Sequence, residues 1–196
     1  MTLKERLEAG FEARRDWALR RQRKLPTNQR LFVCACMDER LPVERALGLE
    51  EGDAHIFRNA GGLVTDDALR SAMLSCLHGT REIVVVNHTE CAAMLTDPDA
   101  VHQHLHERGV DPAATDIDPE LPELSLDDGA FGKWLKGFND VDATCARQVE
   151  ILRNHPFIPD HVTVSGWIWE VETGALRPPH GRLAERVNTT DAMCPE

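Results

Sequence analysis

Two short segments combine side chains that are typical of metal sites. Cys36 is followed closely by Asp38 and Arg40 in CMDER, and His88 stands three residues before Cys91 in NHTECAAM. Two thiolates and one imidazole form a soft ligand set that favours tetrahedral zinc and leaves one coordination position open. At an open position zinc lowers the pKa of bound water to about 7, so hydroxide is available at neutral pH. The residues therefore indicate a catalytic zinc site on Cys36, His88 and Cys91.

Asp38 and Arg40 supply the second half of this chemistry. A carboxylate and a guanidinium two residues apart at a strand end can form a forked pair, which fixes the carboxylate beside the metal. Two roles are then open to Asp38. It either ligates zinc in a resting form or accepts a hydrogen bond from zinc-bound hydroxide and so orients the attacking lone pair.

Ordinary structural explanations compete with the metal interpretation. An isolated H-x-x-C is a weak signal, because buried cysteines are common and a histidine at a strand end can simply satisfy a backbone group. The C-x-D-x-R segment after another strand strengthens the metal interpretation. Cys34 shares a strand face with Cys36 if the strand continues that far, so it could compete as a ligand, but core filling is the better interpretation. Three other cysteines are interpreted as packing or exposed thiols: Cys76, Cys145 and Cys194.

A second candidate cluster consists of three histidines in VHQHLHERG. His102 and His106 are one helical turn apart. No carboxylate or thiolate is placed to complete a metal-binding set, so we interpret His102, His104 and His106 as a solvated helix face. Trp167 and Trp169 alternate along a later strand and are interpreted as packing residues or a subunit contact.

The elements that must position the zinc ligands are visible as apolar runs of strand length. They cover residues 30–35, 52–59 and 82–88. Between the second and third runs, residues 65–77 open with a capping threonine and two aspartates, keep apolar residues at helical spacing, and stop near Gly79. Strands that alternate with helices predict a mostly parallel α/β sheet flanked by helices. Ligands gather at the carboxyl ends of such strands, where the two chemical segments would meet.

The remaining segments frame this sheet. Residues 1–26 predict an amphipathic N-terminal helical arm that ends at Pro26. Residues 109–126 are rich in Asp, Glu and Pro and predict a long surface loop. Its role as a lid, an intersubunit contact or a solvated linker is left open by the sequence. Residues 131–154 predict an interrupted helix. Residues 161–177 predict a strand, a turn at Glu172–Gly174 and a return strand, and residues 178–196 are an irregular tail.

Bulk composition limits the class of protein. The 196 residues predict one domain, 1–196, with a core that needs no crosslinks. The six cysteines are expected to be reduced, since no secretory signal precedes them. A net charge of -11 argues against nucleic acid as a partner. No segment is apolar enough to span a membrane, so a cytoplasmic protein without a membrane partner is expected.

Three motifs resemble the signature of the β-class carbonic anhydrase family. They are CMDER at 36–40, GDAHIFRNAGG at 52–62 and HTEC at 88–91, in matching order over Arg30 to about Met94. The resemblance implies an α/β fold with a short parallel sheet, a homodimer as the minimal unit and frequent higher homo-oligomers. It also implies zinc on the two cysteines and the histidine, with Asp38 and Arg40 as the catalytic dyad.

A narrower likeness points to the carbon disulfide hydrolases of this family. It is carried by WALRRQRKLPTNQRLFVCACMDER, GDAHIFRNAGGLVTDDALRSA, VEILRNHPFIP and GWIWEVETGALR, and it extends over most of the chain. It implies attack by zinc hydroxide on a small neutral heterocumulene, with carbon disulfide passing through carbonyl sulfide to hydrogen sulfide and carbon dioxide. Carbon dioxide hydration shares the metal chemistry, so it is the second possible function. A third possibility is a zinc-binding or regulatory homologue without turnover.

One departure from the family pattern bears on the substrate. The family usually has Asp-Cys-Gly around the second cysteine, whereas this chain has Glu90-Cys91-Ala92-Ala93. The added methyl groups either make a drier, narrower pocket that tolerates an apolar substrate or are neutral at a helix start. The chain also lacks tyrosine, which leaves proton export to histidines or solvent.

Overall fold

A five-stranded sheet forms the centre of the molecule. The computed structural model describes residues 1–13, 22–117, 126 and 130–181. The strands lie in the order β2-β1-β3-β4-β5, with the first four parallel and β5 antiparallel to β4. Their bounds are β1 Leu31–Cys36, β2 Ala54–Asn59, β3 Glu82–His88, β4 Thr163–Glu170 and β5 Ala175–Arg177. The predicted mostly parallel sheet flanked by helices is confirmed.

Six α-helices accompany the sheet in the described part of the chain. They are α1 Leu3–Ala13, α2 Val43–Leu47, α3 Asp66–Leu77, α4 Pro98–Glu107, α5 Ala130–Leu135 and α6 Val141–Asn154. Short 3-10 turns occur at Ala60–Gly62, Ala92–Leu95 and Pro112–Ala114. None of the described helices is long and apolar enough to cross a membrane.

Strands β1 and β3 are apolar throughout because both of their faces are covered. All six residues of β1 and all of β3 except Glu82 are buried. One core cluster packs the sheet against α3 and α6 and includes Phe32, Cys34, Val85, Ala72 and Val149. The cluster on the other face includes Val33, Ala35, Val84, Val86, Leu41 and Val43. These clusters hold β1 and β3 side by side at the centre of the fold.

Cys34 and Cys36 pack in different clusters. Cys34 fills the core against α3 and α6, as predicted, where burial raises its pKa to about 12 and its thiol donates to the Leu63 carbonyl at 3.7 Å. Cys36 packs in the opposite cluster with Cys91. The expectation that the two cysteines share a face is therefore wrong. Cys36 is the last residue of β1, so strand alternation no longer constrains it.

Local signals account for the crossover helix α3. The Thr65 side chain accepts from the backbone N–H of Ala68, and Asp66 and Asp67 lie in the first turn, where the helix dipole favours acids. The helix ends at Leu77, just before Gly79 at φ 95°. This helix carries the chain from β2 to β3 across β1, so all three strands can run parallel.

The C-terminal half follows the predicted pattern with a defined break. The helix predicted over 131–154 is divided into α5 and α6, and Asp140 caps α6 by accepting from the backbone N–H of Ala143 at 2.9 Å. Lys136, in the break, has φ 52°. After β4 the chain turns through Gly174 at φ 71° into β5, as the predicted return strand requires.

Parts of three predicted segments lie outside the described residues. In the N-terminal arm, α1 is described to Ala13 and exposes Leu3 and Leu7, whereas Trp17 and Leu19 lie outside. The acidic loop contains the turn at Pro112–Ala114, but its residues 118–125 lie outside. Residues 182–196 of the irregular tail also lie outside the described residues. That residues 1–196 form one domain stays a prediction.

Gly62 provides a test of how tightly the strand ends are packed. A Cβ atom there would lie 2.7 Å from the Cys36 nitrogen and 3.0 Å from the Val86 oxygen, and the residue has φ +63°. We expect Gly62→Ala to lower the free energy of unfolding by about 3 kcal/mol or more, because backbone strain and overpacking add. Urea denaturation at fixed protein concentration measures this.

Gly109→Ala is the matched control. Gly109 also has a positive φ, +75°, but nothing lies within 4 Å of its Cβ position. The free energy of unfolding of this variant should fall by only about 1–2 kcal/mol, which is the conformational cost of a positive φ at a residue with a Cβ atom. Equal losses for the two variants would contradict close packing around Gly62.

Candidate metal centre

Three buried side chains converge at the carboxyl ends of β1 and β3. Cys36 is the last residue of β1, His88 is the last residue of β3, and Cys91 follows three positions later. Their ligand atoms all lie within 4.8 Å of one another, and the residues are 3%, 0% and 2% exposed. The structure thus brings together the three side chains that the sequence nominated.

The distance between the two sulfurs fits a tetrahedral ion. Cys36 Sγ and Cys91 Sγ are 3.7 Å apart. A disulfide requires about 2.05 Å, and both cysteines are free. Two thiolates on one tetrahedral zinc, at Zn–S distances of about 2.3 Å, are separated by about 3.8 Å. The separation matches shared coordination by one metal.

The His88 ring is oriented with one nitrogen toward the sulfurs. Its Nδ1 donates to the Thr89 carbonyl at 2.7 Å, and a carbonyl can only accept, so Nδ1 carries the proton. Nε2 therefore presents a lone pair, and this buried atom has no hydrogen-bond partner among the described residues. A buried acceptor without a donor is costly unless a cation completes it, so the His88 ring is oriented as that of a metal ligand would be.

The two thiols have opposite pKa shifts. The pKa of Cys36 is lowered to about 4, chiefly by the hydrogen bond from Cys91, with backbone N–H groups of Asp38 and Gly61 also contributing. The pKa of Cys91 is raised, first by that same hydrogen bond and then by burial. One thiolate is thus favoured without a metal, and a divalent cation between the sulfurs would favour the second.

Asp38 and Arg40 form the predicted forked pair. Arg40 Nε donates to Asp38 Oδ1 at 3.0 Å, and Nη2 donates to Oδ2 at 2.9 Å. These bonds hold the pKa of the Asp38 carboxyl well below its usual range. Asp38 Oδ2 lies 3.7 Å from His88 Nε2. An ionised carboxylate is therefore fixed beside the candidate metal ligands.

Arg40 is itself held by two residues that the sequence analysis did not place in the site. Its Nη1 donates to Glu90 Oε2 at 3.1 Å and its Nη2 to the Glu90 carbonyl at 3.0 Å. Trp169 packs against the adjoining core cluster, as predicted for a packing residue, and its Nε1 donates to the Arg40 carbonyl at 3.1 Å. Arg40 therefore links the segments that carry Asp38 and Cys91.

The geometry of the loop after β1 depends on Arg58, which the sequence analysis also missed. Its guanidinium donates to the carbonyls of Cys36 at 2.8 Å, Asp38 at 2.6 Å and Leu41 at 3.1 Å. Carbonyls that are withdrawn from water need such donors. The signal available in the sequence was an arginine within the apolar run of β2.

Two asparagines close the glycine turn that follows β2. Asn59 Oδ1 accepts from the backbone N–H of Leu63 at 2.9 Å, and Asn87 Nδ2 donates to the Gly61 carbonyl at 2.7 Å. The turn carries the Gly61 N–H that lowers the pKa of Cys36. Their position at the ends of β2 and β3 was the available clue, since buried amides need partners.

Ala92 and Ala93 differ in what they contact. Ala92 is exposed, which is in keeping with a neutral substitution at the start of the short helix. The Ala93 methyl lies 3.3 Å from the Cβ position of Gly61, and Phe138 Cε1 lies 3.1 Å from the same point. Ala93 and Phe138 therefore make an apolar wall against the turn beside Cys36.

The histidines of α4 form no comparable set. His102 and His106 have ring centroids 4.4 Å apart, and His102 packs against Phe131 at 5.6 Å. His104 and His106 are exposed, whereas His102 is half-buried. Within the described residues, the only group of three or more His, Cys, Asp and Glu residues that could hold a metal is Cys36, His88 and Cys91.

Comparisons with known proteins agree with this site. The family model for carbonic anhydrase matches residues 31–176. A carbon disulfide hydrolase of Acidithiobacillus thiooxidans is 62% identical over 98% of this chain and 98% of its own. Beta-carbonic anhydrase 1 of Mycobacterium bovis is 36% identical over 78% of this chain and 83% of its own.

A solved structure extends the likeness to the fold. The apo form of a carbon disulfide hydrolase superposes with a TM-score of 0.78 at 39% identity, covering 99% of this chain and 100% of that one. The family match spans both strands that end in the Cys-His-Cys cluster. The chain belongs to the β-carbonic anhydrase family.

Proposed function

We propose that the chain is a zinc-dependent hydrolase of carbon disulfide that also takes carbonyl sulfide. One carbon disulfide and two waters give one carbon dioxide and two hydrogen sulfide molecules. The observation that carries the proposal is 62% identity, over 98% of both chains, with a protein named carbon disulfide hydrolase. The buried Cys-His-Cys cluster beside an ionised carboxylate supports a hydrolytic role.

Zinc is the proposed metal, held by Cys36, His88 and Cys91. The support is the soft ligand set, the 3.7 Å between the sulfurs and the free Nε2 of His88. When bound there, zinc supplies an open coordination position and lowers the pKa of water toward about 7, which provides a nucleophile at neutral pH. Thr89 contributes by holding the His88 tautomer through its carbonyl.

Asp38 is the proposed catalytic residue that orients the nucleophile. With its pKa held low by Arg40, the carboxylate is ionised at neutral pH and can only accept hydrogen bonds. Arg40 acts through Asp38, because its fork fixes both carboxylate oxygens. The Asp38 carboxylate lies 3.7 Å from His88 Nε2, so it can accept a hydrogen bond from a group bound at the metal position. That hydrogen bond would hold the bound group in one orientation.

The substrate proposal is a small neutral heterocumulene. Ala93 and Phe138 make an apolar contact with the Gly61 turn, which is in keeping with an apolar substrate. An apolar wall offers a charged substrate neither a hydrogen bond nor an opposite charge. Carbon dioxide hydration is the second candidate, because beta-carbonic anhydrase 1 of Mycobacterium bovis is also similar to this chain at 36% identity. A site without turnover is disfavoured, since a structural zinc site usually has four protein ligands and this cluster has three.

A homodimer is the proposed minimal assembly, with larger homo-oligomers built from it. In the single chain, α1 leaves Leu3 at 64% and Leu7 at 58% exposure, and Met37 beside the metal cluster is 67% exposed. Apolar side chains in such positions favour burial against another subunit. A cytoplasmic location is also proposed, because free buried thiols suit a reducing compartment.

Turnover with three substrates tests the proposed function. We expect the purified protein to release hydrogen sulfide from carbon disulfide and from carbonyl sulfide, because both present an electrophilic carbon to the same nucleophile. Sulfide release and proton release are measured side by side, with carbon dioxide as the third substrate. Fast carbon dioxide hydration without sulfide from either sulfur compound would reject the proposal in favour of the second candidate.

Two cysteines of the same strand test the metal ligands. Cys36→Ala should remove most of the bound zinc and the turnover, because one of three ligands is lost. Cys34→Ala makes the same chemical change two residues earlier but in the core, so zinc content should be unchanged. Metal analysis of both purified variants gives the comparison. Equal zinc content in the two would remove Cys36 from the ligand set.

The role of Asp38 is tested by Asp38→Asn. Zinc should remain bound, while kcat falls by at least about a hundredfold, because the amide cannot reproduce the ionised acceptor. Asp67→Asn is the control, because Asp67 pairs with Arg70 on the exposed face of α3 and is not part of the metal cluster. Unchanged kcat in the Asp38 variant would exclude this residue from the mechanism.

A further inference from the structure

A cavity of about 450 Å³ lies between the segment after the glycine turn and the α5–α6 connection. None of the three metal ligands lines it. The lining residues are Leu63, Val64, Gly132, Lys133, Lys136, Gly137, Phe138, Thr144, Arg147, Gln148 and Ile151. This volume is within the range of small-molecule sites.

The charged residues that line this cavity in the described part of the chain are all basic. Lys133, Lys136 and Arg147 line it, and none of them forms an ion pair within the part of the chain that the structure describes. No described lining residue is acidic. The whole chain has a net charge of -11, so three cations without an ion pair among the described residues, around one concave surface, oppose the bulk charge. They create a local field that favours an anion.

Gln148 adds a hydrogen-bond donor to the lining. The residue is 7% exposed, and its Oε1 accepts from the backbone N–H of Val64 at 2.8 Å. This bond fixes the side-chain amide, whose Nε2 has no acceptor among the described residues. This N–H group is therefore available to donate to an anionic oxygen in the cavity.

The backbone at Lys136 also fits a role for its side chain. Lys136 follows α5 directly and has φ 52°, a conformation that glycine adopts at lower cost. Gly137 is the next residue, yet the left-handed position is occupied by lysine, which lines the cavity. Strain of this kind is often found at ligand sites.

We propose that this cavity binds an oxyanion of the phosphate or sulfate class, either free or as the head group of a small metabolite. Lys133, Lys136 and Arg147 supply the charge, and Gln148 and Thr144 supply neutral donors. Phe138 borders both this cavity and the turn beside Cys36, but no metal ligand lines the cavity, and the inference does not depend on the proposed hydrolase activity. The apolar lining of Phe138 and Ile151 leaves room for an organic portion beyond the head group.

Binding of inorganic phosphate to the full-length zinc-loaded protein tests the site by calorimetry at low ionic strength. We expect saturable binding that weakens as salt is added. The double variant Lys136→Gly with Arg147→Gln should bind phosphate at least tenfold more weakly, because two of three cations are lost. Glycine also suits the positive φ at 136, so this variant is expected to fold. Its zinc content checks that it does.

The matched control is Lys24→Gln with Arg45→Gln, which removes two positive charges outside the cavity. This control should bind phosphate as the unmodified protein does. Absence of saturable phosphate binding to the unmodified protein would overturn the inference. So would equal weakening in both double variants, which indicates bulk charge, or no weakening in the cavity variant, which indicates binding at the metal.

Glycerol phosphate, measured in the same way, distinguishes the two sources of the oxyanion. Tighter binding of glycerol phosphate than of inorganic phosphate, lost in the cavity variant, supports the site and assigns it to a phosphorylated metabolite. Tighter binding of inorganic phosphate supports the site and assigns it to the free ion. Neither result depends on turnover, so the hydrolase proposal stands or falls separately.

Discussion

Parallel pairing of β1 with β3 is the constraint on which the metal centre depends. The register sets Ala35 beside Val86, so Cys36 and His88 leave neighbouring strands at the same edge of the sheet. Cys91 then needs only three residues to return toward His88. A slip of one residue would exchange the faces of the side chains inside β3 and shift His88 relative to Cys36. The two buried core clusters resist such a slip, since every apolar side chain of β1 and β3 would move with it.

Hydrogen bonds and ion pairs at this edge of the sheet also hold Asp38 and the segments with Cys36 and Cys91 in place. Arg58 satisfies carbonyls of the loop after β1, which leaves the Asp38 side chain to pair with Arg40. Arg40 in turn reaches Glu90, beside Cys91. Because the Arg40 fork engages both oxygens of the largely covered Asp38 carboxylate, it fixes the orientation of that carboxylate. Ligands and carboxylate are therefore arranged before any metal binds, and this preorganisation favours catalysis over simple metal storage.

Most elements could be predicted because their signals are local. The strands β1 and β3 are unbroken apolar runs, and α3 begins with a capping threonine and two acids. The interruption between α5 and α6 was expected, and two local signals mark its place, Gly137 in the break and the capping Asp140. The shared face expected for Cys34 and Cys36 was wrong, because alternation holds inside a strand and lapses at its last residue.

The sequence by itself determined the donor set and its order along the chain: two thiols, one imidazole and an Asp-x-Arg pair, each just beyond an apolar run. Tertiary structure alone decided which groups hold that set in place. Arg58, Glu90 and Trp169 act through contacts with residues 17 to 129 positions away. The same is true of the cavity, where α6 meets the segment after the glycine turn. Such contacts join distant segments through space, so they leave no periodicity or local motif that a single sequence could reveal.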